Sequence, residues 1–238
     1  MKSADVFKRY EIKYVLDKKQ LEALKELMKA HCHGDKFGNS TVMNVYFDTD
    51  DYLLIRRSIE KPLYKEKLRL RSYGVSDENS VVYAELKKKF KSIVYKRRIE
   101  IAYKDAKAAV SGELPFPETQ IGQEIAYCFS RYGGLKPKMF LSYEREAFYC
   151  NGDESLRLTV DKNILWRDYD LTLQKGAYGT KLLSDDEALL EIKTSGALPM
   201  WLVGFLSKNK LYKTSFSKYG NAYKSMTEKN LIGGKNCA

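Results

Sequence analysis

The chain has 238 residues, and 44% of them are hydrophobic, which is enough for a real core and argues against wholesale disorder. A net charge of +11, with a pI near 9.3, concentrates anions near the surface, whether nucleic acid, acidic lipid or phosphorylated small molecules. Four cysteines without a C-x-x-C pair, and two histidines that merely flank Cys32, argue against a structural zinc site; with no apolar signal core and no run of membrane-span length, the chain reads as soluble, cytoplasmic and reduced.

Residues 6–16 alternate as a strand, with Phe7, Arg9, Glu11 and Lys13 on one face and Tyr10, Ile12 and Tyr14 on the other. Asp17, with Gln20 three residues on, caps a helix whose apolar stripe is Leu21, Leu24, Leu27 and Met28. Residues 33–40, with Gly34 and Gly38, read as a loop, and residues 41–47 as a second strand rich in β-branched and aromatic side chains. Asp48, Asp50 and Asp51 open a short helix that runs to Ile59, with Arg56 and Arg57 in its last turn, as the helix dipole favours.

Residues 64–73 form the most informative strand: Lys65, Lys67, Arg69 and Arg71 share one face, Glu66, Leu68, Leu70 and Ser72 the other. A turn at 74–80 leads to a strand at 80–90 carrying Val81, Tyr83, Glu85, Lys87 and Lys89 on one face, and 92–103 is its partner, with Lys96, Arg98 and Glu100 opposed to Arg97, Ile99 and Ile101. Residues 104–132 are mostly helical, broken at 112–117. A long strand at 135–149 turns at Asn151, Gly152 and Asp153 into a return strand at 156–161, in which Arg157, Thr159 and Asp161 oppose Leu156, Leu158 and Val160. Residues 164–173 suit a further strand or a hairpin arm, and 174–186 a loop. Another strand at 188–194 sets Leu189, Glu191 and Lys193 against Leu190 and Ile192, and helices come next at 199–209 and 215–226. Residues 1–228 are expected to form one domain and 229–238 a frayed tail.

About eight long antiparallel strands suffice to close a barrel with appended helices, an α+β arrangement. The polar faces collect Lys13, Lys65, Lys67, Arg69, Arg71, Lys87, Lys89, Lys96, Arg98, Arg145, Arg157 and Lys193, with Glu11, Glu85, Glu100, Asp161 and Glu191 interleaved. Any one of these cations alone reads as a solvated strand face; their recurrence over five or six strands calls for an anion, because buried unpaired charge is costly. A phosphate chain suits such a lining, and the minority carboxylates suit Mg²⁺ or Mn²⁺ bridging phosphate oxygens. No Walker-type or dinucleotide-binding glycine loop is present, and no Ser/His/Asp arrangement can be argued.

An ordered set of short motifs carries a family resemblance: Arg9-Tyr-Glu-Ile-Lys13, Tyr46-Phe-Asp-Thr49, Lys67-Leu-Arg-Leu-Arg71, Glu85-Leu-Lys87, Lys96-Arg-Arg-Ile-Glu100, Ser142-Tyr-Glu-Arg145, Leu156 to Asp161, Leu190-Glu-Ile-Lys193 and Phe216-Ser-Lys-Tyr219. On these, the chain resembles the VTC domain, the polyphosphate polymerase core of the vacuolar transporter chaperone complex, within the CYTH or triphosphate tunnel metalloenzyme superfamily. The resemblance implies an eight-stranded antiparallel β-barrel, the triphosphate tunnel, in which the γ-phosphate of ATP is transferred to a growing polyphosphate with Mn²⁺ or Mg²⁺. By that likeness Lys13, Arg69, Arg71 and Lys218 form the catalytic set. Lys87, Lys96, Arg98, Tyr143, Arg145, Arg157, Lys193 and Ser217 bind phosphate, and Glu191 is the metal ligand. ATP and polyphosphate are the expected partners; no nucleic acid is expected, and a membrane-protein partner stays open. The hydrolytic Glu-x-Glu-x-Lys signature stands here as Arg9-Tyr-Glu11-Ile-Lys13, which favours the polymerase branch over an inorganic triphosphatase or polyphosphatase; a non-enzymatic polyphosphate-binding module is the third reading. Eukaryotic members attach an SPX domain and membrane helices, neither of which lies in these residues, so membrane-coupled export is not expected of this polypeptide alone.

Overall fold

The structure, a computed structural model, describes residues 10–91 and 93–233. The start of the first expected strand, with Phe7 and Arg9, therefore lies outside the described residues, as do Ser92 and Cys237. The strands are β1 (Tyr10–Asp17), β2 (Cys32–Asp48), β3 (Tyr64–Tyr73), β4 (Val81–Phe90), β5 (Ile93–Ala102), β6 (Lys136–Cys150), β7 (Asp153–Arg167), β8 (Thr180–Lys181) and β9 (Glu187–Thr194). The helices are α1 (Lys18–His31), α2 (Leu53–Ile59), α3 (Tyr103–Ser111), α4 (Gln120–Arg131), α5 (Met200–Lys208) and α6 (Lys218–Gly233).

Hydrogen bonding orders the strands β1-β9-β7-β6-β2-β3-β4-β5, with β8 added to β7. The expected antiparallel sheet with appended helices is thus present. Among the described residues the ladder ends at β1 and β5 without a pairing that joins them, so backbone hydrogen bonds do not close it into a barrel.

The chain divides into two compact units. The first comprises Met1–Ser40, Glu144–Asn163 and Leu183–Phe216. Its core is Leu21, Leu24 and Met28 of α1 packed with Leu156, Leu158 and Val160 of β7, Leu190 and Ile192 of β9, and Leu202, Phe205 and Leu206 of α5. The α1 cap is the reciprocal one expected: the Asp17 carboxylate accepts from the Gln20 amide at 2.8 Å, and the Gln20 side chain accepts from the Asp17 amide at 3.0 Å. Residues 33–40, expected as loop, continue β2 instead. They are mostly exposed, so no alternation marks them as strand, and Gly38 takes φ +58° within the extended run.

The second unit comprises Thr41–Tyr143, Ile164–Leu182 and Ser217–Ala238. Leu68 and Leu70 of β3, Val82, Ala84 and Leu86 of β4, and Ile99 and Ile101 of β5 turn one face to a core shared with α3 and α4. The period-two reading of these three strands therefore holds residue by residue. Lys88 and Arg97 lie on that apolar side's rim, both paired to Glu124 of α4, at 3.2 and 3.4 Å. A smaller core joins Tyr46, Met139, Leu141 and Trp166 to Tyr219, Ala222 and Met226 of α6. That helix continues to Gly233, past residue 229 where a tail was expected to start.

The segment expected as a strand or hairpin arm over 164–173 completes β7 as far as Arg167, pairing with β8 at Leu165 and Trp166, and then leaves the ladder. Arg167 is buried and organises the loop after it: its guanidinium donates to the carbonyls of Asp170, Thr172, Gly176 and Tyr178, and it lies between the Phe140 and Tyr178 rings, 3.5 and 4.0 Å from their centroids. Gly179 then brings the chain back against β7; a Cβ there would stand 2.3 Å from the Trp166 carbonyl oxygen, so only glycine fits.

Candidate phosphate-binding site

The polar face of β3, β4 and β5 is built in rows fixed by the ladder register. Arg69, Glu85 and Arg98 stand opposite one another, and the next row outward is Lys67, Lys87 and Lys96. Beyond it Lys65 faces Lys89. Like charges directly opposed across strands are destabilising by themselves.

Glu85 is the centre of the first row, 1% exposed. Arg69 donates to its Oε2 from Nε and Nη2 at 2.8 and 2.6 Å, the Lys96 ammonium is 2.7 Å from Oε1, and the Arg71 Nε is 3.7 Å from Oε2. Burial by itself raises the Glu85 carboxyl, but Arg69, Arg71 and Lys96 outweigh it and hold it at about 2. Arg69 is correspondingly driven up: burial disfavours its charge, and Tyr46 and Glu85 more than restore it. Lys96 is lowered, by burial first, with Glu85 opposing. Lys65 is lowered by burial and by the nearby charges of Lys89, Lys87 and Lys61, and its ammonium donates to the Ser58 carbonyl at 3.0 Å.

The two arginines are braced from the side. Arg69 Nη1 donates to the Tyr46 hydroxyl at 2.7 Å. Arg71 is buried and donates from Nε to Asn44 Oδ1 at 2.9 Å and from Nη2 to the Tyr143 hydroxyl at 3.2 Å. Asn44 is itself fixed by donating to the Leu141 carbonyl at 3.0 Å. Lys218, the first residue of α6, lies over the Tyr143 ring, 4.5 Å from its centroid. Ser217 caps α6: its Oγ accepts from the Gly220 amide at 3.1 Å and from the Lys67 ammonium at 3.0 Å. The helix is anchored by Tyr219, whose hydroxyl donates to Asp48 Oδ2 at 2.9 Å. Asp48 is fully buried and also accepts from the amides of Thr49, Leu54 and Ile55. A helix N-terminus flanked by Lys67 and Lys218 is a favourable place for a phosphate oxygen.

The remaining sequence-predicted residues lie in the first unit and form their own cluster. Lys13 and Glu191 are opposed in register, as are Glu191 and Thr159, while the adjacent row is Glu11, Lys193 and Arg157. The Lys13 ammonium is 3.0 Å from Glu11 and 3.3 Å from Glu191, and it donates to the Phe216 carbonyl at 3.0 Å. Arg145 makes two bonds of 2.6 Å to the buried Asp161 carboxylate and a longer one, 3.4 Å, to Glu191. A cavity of about 490 Å³ opens beside Lys13, lined by Tyr10, Glu11, Thr194, Lys213 and Thr214.

Two expected phosphate ligands carry other partners. Arg157 donates to Asp35 of β2 at 3.2 Å and lies over Tyr149; Arg98 lies flat over Tyr83, 3.7 Å from the ring centroid. Tyr46, Asn44, Glu85 and Glu11 belong to the clusters although they are absent from the sequence-predicted ligands. The alternating pattern flags Glu85 and Glu11 as acids among cations, and Tyr46 falls in one of the resemblance motifs. Asn44 carries no sequence signal.

Among the described residues, no three His, Cys, Asp or Glu side chains converge as a ready-made metal cage. The donor set nonetheless fits a hard divalent cation of the kind that takes one or two carboxylates and fills its shell with water and phosphate oxygens. Glu11 and Glu191 share one ammonium, and the buried Thr159 Oγ1, opposite Glu191, has no hydrogen-bond partner among the described residues.

Fold and site thus define an α+β protein whose antiparallel sheet presents a cation-rich, carboxylate-braced face. The chain belongs to the VTC domain family, whose model matches residues 8–227. It is 26% identical over 149 residues to the vacuolar transporter chaperone complex subunit 4 of Schizosaccharomyces pombe, a match that covers 53% of this chain and 20% of that protein. The chain therefore spans about a fifth of that relative's length. Among solved structures it is similar to a Bacillus halodurans protein named as an adenylate cyclase, with a TM-score of 0.54, 16% identity, and coverage of 88% of this chain and 95% of that one. It is also similar to a Hippeastrum protein named as an adenylyl cyclase and described as having a dominant triphosphatase activity, with a TM-score of 0.53, 15% identity, and coverage of 91% and 96%. At these identities the two likenesses establish the fold.

Proposed function

We propose that this chain is a polyphosphate polymerase, transferring the γ-phosphate of ATP to the end of a growing polyphosphate with Mn²⁺ or Mg²⁺. One observation supports the reading above others: Lys67, Lys87 and Lys96 stand in register across three strands beside the Glu85-centred cations. Glu85 offsets the charge of Lys96 and the Ser217 hydroxyl takes a bond from Lys67, but like charges opposed across strands repel, and a linear polyanion would relieve that repulsion. Phosphoryl transfer needs positioning and charge neutralisation more than covalent chemistry. Arg69 and Arg71, held by Glu85, Tyr46, Asn44 and Tyr143, offer fixed donors to phosphate oxygens. Lys218 and the capped start of α6 offer a further anion contact.

The chemistry a divalent cation would supply here is positive charge to offset what develops on the transferring phosphate. Glu191, with Glu11 beside it, would hold that cation, while Lys13 and Arg145, 3.3 and 3.4 Å away, orient Glu191. The test is incubation with ATP and Mn²⁺, followed by gel resolution of the products. Chains longer than triphosphate are expected, and their absence overturns the proposal. Phosphate release from tripolyphosphate without chain growth would assign the same site to a triphosphatase. Glu191→Gln is expected to abolish metal-dependent turnover while leaving tripolyphosphate binding within about threefold; unchanged turnover would remove Glu191 from the metal site.

A further inference from the structure

Two of the cysteines are neighbours in space although 118 residues apart in sequence. Cys32 opens β2 and Cys150 closes β6, and these strands are adjacent in the sheet. The Asn151 amide donates to the His31 carbonyl at 2.8 Å. In an antiparallel pair that bond frames Cys32 and Cys150 as directly opposed residues of a non-hydrogen-bonded pair, the site where Cα atoms approach to about 4.5 Å. That separation lies within the range a disulfide spans, about 4.4–6.8 Å. The two sulfurs point at each other, 2.7 Å apart, inside the first unit's core among Leu24, Met28 and Leu156. Cys128, by contrast, is buried in the second unit's core.

From this geometry we propose that Cys32 and Cys150 are a reversible redox site, closing to an intrachain disulfide when the protein meets a peroxide. With hydrogen peroxide, Cys32 attacks first: an S–O bond forms, the O–O bond breaks and one water leaves. Cys150 then attacks the Cys32 sulfur. The S–S bond forms, the S–O bond breaks, and the departing hydroxide takes the Cys150 proton as a second water. Each step balances: two thiols lose two hydrogens and one peroxide becomes two waters. Cys32 is the entry point because it is the more accessible, at 9% against 5% exposed. Burial raises both thiols above their ordinary range, which slows attack on peroxide, while the 2.7 Å approach of the two sulfurs favours closure once Cys32 is oxidised. The bond would staple the start of β2, which carries Asp35 with its grip on Arg157, to the end of β6, which carries Arg145.

The test uses the full chain with Cys237→Ser, which removes the thiol outside the described residues and keeps Cys128 as an internal control. The protein is treated with hydrogen peroxide, unfolded, alkylated and mapped by mass spectrometry. Expected are a product two hydrogens lighter, a cross-linked peptide joining Cys32 to Cys150, an alkylated Cys128, reversal by dithiothreitol, and a rise in Tm on oxidation. Adding Cys32→Ser should abolish the mass loss and the Tm shift. The proposal is overturned if all three thiols remain alkylatable after oxidation, or if the cross-link involves Cys128 or a second chain. It is overturned equally if the serine variant shows the same Tm rise. Should that variant fail to fold, the peptide map of the parent protein decides.

Discussion

Replacing Glu85 by Gln keeps the shape of the side chain and removes the one charge that three cations share. Glu85 is 1% exposed, with Arg69 and Lys96 within 2.8 Å and Arg71 at 3.7 Å. Its carboxyl moves from an ordinary 4.5 to about 2 on folding. A shift of that size corresponds to about 3 kcal/mol of folding stability. That agrees with the roughly 3–5 kcal/mol lost when one partner of a buried ion pair is removed. Because the folded value is depressed, this stability is fully present above pH 4.5 and is lost as the pH falls towards 2. Glu85→Gln should therefore be less stable than the parent by about 3 kcal/mol at neutral pH, measured by urea unfolding, and the gap should narrow steadily below pH 4.5. The same substitution should tighten tripolyphosphate binding, since Glu85 competes with phosphate oxygens for Arg69. A variant as stable as the parent at neutral pH, or a gap that does not change on acidification, would refute this account of the cluster.

Three further outcomes rest on contacts of the same kind. Arg71→Ala should lower polymerase turnover about 100-fold, because it removes a fixed buried donor; Lys65→Ala should leave turnover within about twofold at low salt and make it more salt-sensitive. Equal effects of the two in a salt series would undo that division. Tyr219→Phe leaves the buried Asp48 one donor short and should cost about 1–3 kcal/mol, read as a fall in Tm. Arg167→Lys cannot reproduce a guanidinium that serves four carbonyls, so residues 168–179 should become susceptible to limited proteolysis, with a loss of about 3 kcal/mol; unchanged protection would show that the loop holds itself.

Strand faces were legible in the sequence because the pleat converts alternation directly into sides. Leu68 and Leu70 fall in the core and Arg69 and Arg71 on the polar face, as read from residues 64–73 alone. The resemblance motifs named residues that the structure distributes over two clusters, one in each unit, with Ser217 and Lys218 at the capped start of α6. Three things were hidden. The first half of β2 is polar on both faces, so its strand character comes from its neighbour and not from its own pattern. Arg157 sits on a polar face, but its direction is set by Asp35, which belongs to that same unreadable stretch. Sheet closure depends on whether two edge strands meet, and alternation within a strand carries no information about its edges.

Register sorts the cations of β3, β4 and β5 by how firmly they are held. Arg69 and Arg71 are immobilised by side-chain acceptors at fixed distances, so their donors keep their direction when a phosphate arrives. Lys67, Lys87 and Lys96 are compact point charges on flexible stems, opposed to one another in register although Lys67 also donates to Ser217 and Lys96 pairs with Glu85, and an ammonium's attraction to an anion depends less on direction than a guanidinium's. A site that only held a triphosphate would gain from arginine throughout, through bidentate contacts. A site that must let a chain advance by one phosphate at each transfer gains from lysine along the path, where binding is strong in sum and weak at each step. On the proposed polymerase reading, Lys67 and Lys87 would line the path along which the chain advances, while Arg69 and Arg71 hold the phosphate that reacts; Lys96, paired with Glu85, stands between the two groups.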